Sequence, residues 1–581
     1  MAVENLITEH IDIWTSAVKT KSSSGRGNSK KLELYGVKKL RELILELAVR
    51  GKLVPQDPND EPASVLLERI AQEKAQLVKE KKLKKPKKLP NISDEEKPFD
   101  LPNGWSWIRL NEYGEWGSGS TPKRSNSGYY DGGIPWFKSG ELKADYISES
   151  EETITELALS ETSVRYNNVG DVLVAMYGAT IGKTAILSVR ATTNQAVCAC
   201  TPFTGLSNTY LLTLLKAYKA RLIGMGAGGA QPNISREKII NTVIALPSTA
   251  EQHRIVAKVD ELMALCDQLE QQTEASIEAH QVLVTTLLDT LTNSADANEL
   301  MQNWARISEH FDTLFTTEES IDQLKQTILQ LAVMGKLVPQ DPSDEPASEL
   351  LKRIAVEKAQ LVKEKKIKKQ KALPPIAEDE KPFELPNGWE WERIGTFGVV
   401  GTGATPSRSN PKYWDDPKYN WVSSGETSEL FVSTTKEKVS ELAIQETNVS
   451  IYPSGTLIVA MYGQGKTRGQ ITELTEPAGT NQACAAIQLI EKNESHKDFV
   501  KLYFRKSYEE LRSNAAGGAQ PNLNVGKVQS TVIAVPPLNE QQRINTKVNE
   551  LLTVCDHLKA HFEAVQSTQL HLTDAIVEQV V

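Results

Sequence analysis

The chain writes one stretch twice. Leu47–Glu80 reads LAVRGKLVPQDPNDEPASVLLERIAQEKAQLVKE, and Leu331–Glu364 reads LAVMGKLVPQDPSDEPASELLKRIAVEKAQLVKE. The copies agree at 29 of 34 positions without a gap, which marks a tandem duplication. The period is 284 residues. Solenoid repeats run to about 20–50 residues, so this chain is expected to fold as two large units rather than as an array. Its 581 residues leave room for several modest domains.

The duplication reaches further than its best stretch. Ile7-Thr8-Glu9-His10 returns as Ile307-Ser308-Glu309-His310 at an offset of 300. The 16-residue difference falls around Lys21–Lys31 (KSSSGRGNSKK), which reads as a flexible insertion. His10 and His310 sit on short amphipathic pieces and read as structural. Leu101–Trp105 (LPNGW) and Leu385–Trp389 return to the 284 offset. Beyond them the offset drifts to 285 at Trp136/Trp421 and Tyr177/Tyr462, 287 at Asn194/Asn481 and 289 at Gln231/Gln520, and identity falls. Two scaffolds of one shape therefore present two different surfaces.

Periodicity fills in the elements. Leu40, Leu43, Ile44 and Leu47 lie at i, i+3, i+4, i+7 and predict a helix over Val37–Val49, with Gly51 as its C-cap. Pro62-Ala63-Ser64 opens a second helix through about Lys82. It runs into Lys79, Lys81, Lys82, Lys84, Lys85, Lys87 and Lys88, and the second copy into Lys363, Lys365, Lys366, Lys368, Lys369 and Lys371. Such a charge run is a solvated face or a contact for phosphates or an acidic partner. Short apolar runs between Gly, Asn, Ser and Pro turns predict strands at Asp171–Met176, Ala185–Val189 and Thr242–Leu246. Thr456–Met461 and Thr531–Val535 match them. Each β-rich stretch leads through Pro247 or Pro536 into a long helix opening on Glu251-Gln252 or Glu540-Gln541. Ile544, Val548, Leu551, Cys555, Leu558, Phe562 and Val565 form a heptad seam. Ile255, Val259, Leu262, Cys266 and Leu269 repeat it, Thr273 and Ser276 weaken it, and Leu283 and Leu287 resume it. A helix of about 40 residues spans about 60 Å and can act as a spacer. The expected boundaries are 1–98 (helical), 99–248 (first β-rich domain), 249–383 (helical spacer), 384–537 (second β-rich domain) and 538–581 (C-terminal helix).

Several function classes fall away. No apolar run approaches ~18 residues and the N-terminus shows no secretory pattern, so no membrane association and a cytoplasmic location are expected. Five cysteines form no metal spacing and read as reduced thiols, with Cys266 and Cys555 in the seam. A net charge of −9 argues against a free-standing nucleic-acid binder unless basic groups are local or a partner supplies them. Gly178–Thr184 (GATIGKT) is one residue short of a phosphate loop, and Gly463–Thr467 is shorter still. A hairpin turn with Lys183 and Lys466 at an exposed tip is the better reading. Asp416-Pro417-Lys418-Tyr419 lacks the second proline of an amino-methyltransferase motif, and no cofactor-binding glycine loop accompanies it. No catalytic constellation emerges.

Polar clusters shared by both copies are the candidate contacts to DNA, because these side chains bond phosphates or base edges. In the first copy they are Thr121, Lys123, Arg124, Lys138, Ser139, Tyr177, Lys183, Asn194, Gln195, Gln231 and Asn233. In the second they are Thr405, Ser407, Arg408, Ser423, Tyr462, Lys466, Arg468, Asn481, Gln482, Gln520 and Asn522. Turn chemistry alone also favours Gly, Asn and Ser here. Residues shared by both copies point to fold or backbone contact, since base readers should differ between copies. Trp105, Trp136 and Trp421 read as core.

Taken in order, the GxGxTPxR, MYG, NQA and GGAQPN elements, each set followed by proline and an EQ-initiated helix, resemble the specificity subunit of type I restriction–modification systems. The resemblance covers nearly the whole chain, and the Lys21–Lys31 insertion departs from it. It implies an α+β fold with two mixed, β-rich target recognition domains separated by long antiparallel coiled-coil-like helices in a pseudo-twofold repeat. It also implies a non-catalytic chain whose two domains each read one half of a bipartite, asymmetric site in double-stranded DNA, with helix length fixing the spacer. Two modification subunits would dock on the helices, bind S-adenosylmethionine and methylate adenines after base flipping. Two restriction subunits would add ATP- and Mg-dependent cleavage. The competing readings are a coiled-coil adaptor without sequence-specific DNA binding, and a free-standing NTPase or methyltransferase.

Overall fold

The computed structural model describes residues 3–21, 31–81, 89–226, 232–295, 297–463, 467–508, 510–511 and 523–580. The chain divides into two compact units, Met1–Ser276 with Val565–Val581, and Ile277–Ala564. Each long helix begins in one unit and ends in the other by residue membership: Thr249–Thr292 and Leu538–Val580 both cross a unit boundary.

In the first unit the predicted helix runs from Tyr35 to Val49 and buries Leu40, Leu43, Ile44 and Leu47. It stops as the sequence requires. Gly51 takes φ +69°, Lys52 N–H donates to Leu47 O at 3.0 Å and Gly51 N–H to Ala48 O at 3.4 Å. Only glycine fits there: a Cβ would lie 2.5 Å from Pro102 Cγ and 2.9 Å from the Trp105 ring. The second helix spans Ala63–Lys79, and residues 82–88 of its lysine run lie outside the described residues. The Lys21–Lys31 insertion is flanked by Lys19–Lys21 and Lys31–Glu33, which pair antiparallel, while 22–30 fall outside the described residues.

The β-rich domain contains two main sheets. The five-stranded sheet has the order Gly114–Ser118, Val197–Pro202, Val172–Ala175, Thr184–Leu187, Tyr146–Ile147. The three-stranded sheet has Tyr130–Phe137 between Thr192–Thr193 and Thr153–Ile154. A separate antiparallel pair, Ser106–Arg109 with Val243–Leu246, brings together the start and the end of the domain. Val172–Ala175, Thr184–Leu187 and Val243–Leu246 are buried at every position, which is why they read as unbroken apolar runs.

The second unit repeats this topology strand for strand. Its five-stranded order is Gly398–Thr402, Cys484–Leu489, Leu457–Ala460, Ile471–Leu474, Phe431–Val432, and its closing pair is Glu390–Arg393 with Val532–Val535. Its first long segment, Glu318–Val333, ends on Gly335 at φ +68° with the same bonding pattern, and Ala347–Lys363 follows. Lys363, Lys365, Lys366, Lys368, Lys369 and Lys371 are all exposed.

The heptad seam needs a correction. Ile255, Val259, Leu262, Cys266, Ile544, Val548 and Cys555 are buried as expected. Leu283 and Val565 are instead exposed; Val284, Leu288, Leu291 and Thr573 take the buried positions, and Leu287 is half-buried. A straight helix drifts by about 20° per heptad against a strict 3.5-residue repeat, so a long stripe slips by one residue. Both helices slip at equivalent places, near Ser276 and Val565.

Candidate nucleic-acid interface

Each β-rich domain is tied to its scaffold at one end. In the first unit Glu251 is buried; its carboxylate accepts from Trp105 Nε1 at 2.9 Å and Gln56 Nε2 at 3.1 Å. Gln252, also buried, accepts from Ser207 N–H at 3.0 Å and donates to Pro247 O at 3.2 Å. Asp60 accepts from both Arg254 nitrogens at 3.2 and 2.7 Å and from Ser248 Oγ at 3.0 Å. The second unit repeats this with Trp389 and Gln340 on Glu540 at 3.0 and 3.2 Å, and Arg543 on Asp344 at 2.7 Å. The segment Pro55–Asp60 of the duplicated stretch, and Pro339–Asp344 in the second copy, is thus a clamp on the start of the long helix. A second clamp is Arg109, buried and bonded to Glu96, Pro90 O and Asn241 O; Arg393 does the same with Glu380, Pro374 O and Ser530 O.

The motifs emerge at the opposite end of the five-stranded sheet. Pairing of Cys198 with Ser118, Val197 with Ala175, and Val174 with Thr184 places the loops after 118, before 197 and between 175 and 184 side by side. Thr402 with Ala485, Ala460 with Cys484 and Val459 with Ile471 do the same in the second unit. Scaffold contacts therefore occupy one end of each sheet, and the shared polar loops the other.

Within that end the predicted residues meet in matched pairs. Thr121 donates to Gln195 Oε1, and Thr405 to Gln482 Oε1. Asn194 Oδ1 accepts from Ala196 N–H at 3.1 Å and Asn481 Oδ1 from Ala483 N–H at 3.0 Å, which makes both asparagines turn formers. Arg124 reaches Glu152 at 2.5 Å over the rings of Tyr130 and Trp136. Arg408 reaches both Glu437 oxygens at 2.5 and 2.7 Å over Trp414 and Trp421. Trp136 and Trp421 are buried, their Nε1 atoms donating to Ser120 O and Ala404 O, each at 3.1 Å. Lys138 shares Glu152 at 2.8 Å, whereas its counterpart Ser423 bonds Glu426. The arginines hold the glutamate carboxylates below their usual range.

The remaining candidates are less concerted. Lys123 is exposed and Ser139 opens a short 3-10 turn. Ser407 pairs with Ser409 at 2.7 Å. Tyr177 is exposed and bridges Asn233; Tyr462 is half-buried against its domain core. Lys183 is not at a hairpin tip: Gly182, at φ +77°, has already turned the chain, and Lys183 O accepts from Ala175 N–H at 2.8 Å, so the side chain is half-buried at the base. Tyr177 and Ala179 are the exposed positions of that connection. GATIGKT joins two antiparallel strands with no helix after it, unlike a phosphate loop. Arg468 is half-buried in the equivalent turn. Gln231, Lys466, Gln520 and Asn522 lie outside the described residues.

Glu152, Glu437, Arg109, Arg393, Gln56 and Asp60 were not singled out by motif reading. All recur in the second copy at an offset of 284 or 285, the signal that could have found them. Burial pushes the Cys198 and Cys484 thiols up to about 12 and Cys266 and Cys555 up to about 11, so they are packing residues. Among the described residues no cluster could hold a metal ion, and no helix is long and apolar enough to cross a membrane.

One frame built twice, with matched polar loops at one end and scaffold clamps at the other, defines a paired recognition protein. Residues 102–279 and 386–564 match the family model described as the type I restriction modification DNA specificity domain. The chain is 43% identical to the specificity subunit of the type I restriction enzyme EcoEI of Escherichia coli, over 100% of this chain and 99% of that one. It is also 43% identical to the EcoAI specificity subunit of Escherichia coli, with the same coverage. Among solved structures, the HsdS subunit from Thermoanaerobacter tengcongensis aligns with a TM-score of 0.40 at 16% identity, over 84% of this chain and 98% of that one. The chain belongs to the specificity-subunit family of type I restriction–modification systems. Its function is DNA-sequence recognition through two target recognition domains, which sets aside an adaptor without DNA specificity.

Proposed function

We propose that the first β-rich domain reads one half, and the second the other half, of a bipartite, asymmetric site in double-stranded DNA. The observation that carries this is the shared end of the two five-stranded sheets. Identical topology delivers Thr121, Arg124, Gln195 and Tyr177, and again Thr405, Arg408, Gln482 and Tyr462, to the end remote from the scaffold clamps. Shared residues there suit the phosphate backbone, which every site offers, while divergent neighbours suit the two half-sites. Two modification subunits dock on the helical segments, bring S-adenosylmethionine and carry out the methyl transfer. Two restriction subunits bring ATP- and Mg-dependent cleavage. This chain supplies address rather than chemistry, and the partners' basic surfaces offset its net charge of −9.

The test is reconstitution. The chain assembled with its modification subunits and S-adenosylmethionine is expected to methylate one bipartite motif in a randomised duplex library. Methylation without sequence preference, or by the chain alone, would contradict the reading.

A further inference from the structure

We propose that Glu152 and Glu437 are displaceable latches, each held by its arginine, through one nitrogen in Arg124 and both in Arg408, until a DNA phosphate takes the carboxylate's place. The inference rests on the assignment of this face to DNA and adds how the face is kept from holding DNA indiscriminately.

The cation is fixed and the anion is not. Arg124 lies 4.7 Å from the Tyr130 ring centre and 5.1 Å from that of Trp136; Arg408 lies 3.9 Å from Trp414 and 5.6 Å from Trp421. The tryptophans at positions 136 and 421 are buried and bonded to backbone, so these platforms do not move with the ion pair. The pairs themselves face water: side-chain exposure is 54% for Arg124 and 32% for Glu152, 55% for Arg408 and 43% for Glu437. An ion pair so exposed is weak, because water screens it and competes for both partners. A guanidinium binds carboxylate and phosphate with the same fork geometry, so phosphate can replace carboxylate while the arginine stays stacked.

The duplication supports this assignment. Both copies keep the Arg–Glu–Trp unit although their surfaces must address different sequences, which places the arginines on phosphate rather than on bases. Both residues are also anchored through their backbone carbonyls. Glu152 holds Trp136 N–H through its carbonyl at 3.1 Å, and Glu437 accepts from Thr435 Oγ1 through its carbonyl at 2.5 Å. Glu152 restrains Arg124 and, together with Glu151 at 3.5 Å, Lys138; Glu437 restrains Arg408 alone of this pair of positions, since Ser423 stands where Lys138 does.

The experiment uses the full chain assembled with its modification subunits. E152Q, E437Q and the double variant are compared with wild type for binding to cognate and unrelated duplexes across a salt series, with thermal unfolding as a fold check. Release of the latch tightens binding to both duplexes by roughly three- to tenfold and steepens the slope of log K against log salt by about one per freed cation. E152Q acts more strongly than E437Q, and the methylated motif is unchanged. A loosened structure cannot produce a gain of affinity with a steeper slope. Unchanged or weaker binding, or a relaxed sequence motif, overturns the latch. The charge reversals R124E and R408E separate the two levels: if they leave affinity unchanged, the assignment of the face to DNA fails; if they weaken it while the glutamine variants are neutral, only the latch fails.

Discussion

Glu251 and Glu540 show what single residues do in this fold. Both open a long helix, both are buried, and both accept from a tryptophan and a glutamine of their own unit. Burial raises both carboxyls above the ordinary glutamate value, only partly offset by those bonds. With the folded pKa raised, the folded chain binds the proton more tightly than the unfolded one. The group's contribution is therefore full below the unfolded value and is lost as pH rises through the raised value. Glutamine at these positions has no charge to bury and keeps the tryptophan bond through Oε1; its own amide can replace the second bond only if Gln56 or Gln340 turns and gives up its bond to Gly51 O at 2.7 Å or Gly335 O at 2.5 Å. We predict that the E251Q/E540Q variant gains stability relative to wild type as pH rises through that window. Urea unfolding across a pH series checks this; parallel curves for the two proteins would contradict it. Other residues escape sequence reading altogether. Glu473, Lys497 and Lys501 look like surface charges, yet Glu473 is 6% exposed and bonds Lys497 at 2.7 Å and Lys501 at 3.2 Å. The equivalent strand position in the first unit is Ile186. Paired charges can replace an apolar contact, and only the tertiary partner reveals it.

At the scale of elements, local periodicity was enough for the helices and central strands. Tyr35–Val49, Val172–Ala175 and Leu457–Ala460 lie within two residues of their expected bounds. The phase slip in the long helices was not legible, because it follows from drift over some 40 residues rather than from any local signal. The duplicated helix also reads differently once folded. Much of its identity is internal: Ala63, Leu66 and Ile70 are buried, and Lys74 or Lys358 donates to backbone carbonyls of the β-rich domain. Three of the five differences, Val65/Glu349, Glu68/Lys352 and Gln72/Val356, line one exposed stripe at i, i+3, i+7. A surface presented alike by both copies must avoid that stripe. Arg69 and Arg353, exposed and unchanged between copies, border that stripe and are paired with Glu61 at 2.7 Å and Glu345 at 2.5 Å. We predict that the R69E/R353E variant weakens modification-subunit binding by about tenfold or more, while Q72E leaves it unaltered. Titration of the purified chain with that subunit measures both, and the reverse ranking would contradict the assignment.

At the scale of the whole molecule, the duplication separates what must be constant from what must vary. The clamps built from Gln56, Asp60, Trp105 and Glu251, and from Gln340, Asp344, Trp389 and Glu540, hold each domain to its own scaffold in the same way. The repeat, the EQ-initiated helices and the ordered motifs made this plan readable from sequence. The pairing of Arg124 with Glu152 did not emerge, because 28 residues separate them and only the sheet brings them together. If each domain carries its own reading surface and the scaffold only positions it, the domains are exchangeable. The decisive measurement is the methylated motif, sequenced from cells that carry the modification subunit and this chain with residues 99–248 replaced by the corresponding domain of another family member. A motif with one half-site changed and the other intact is predicted; a change in both halves, or in neither while methylation persists, would contradict independent reading.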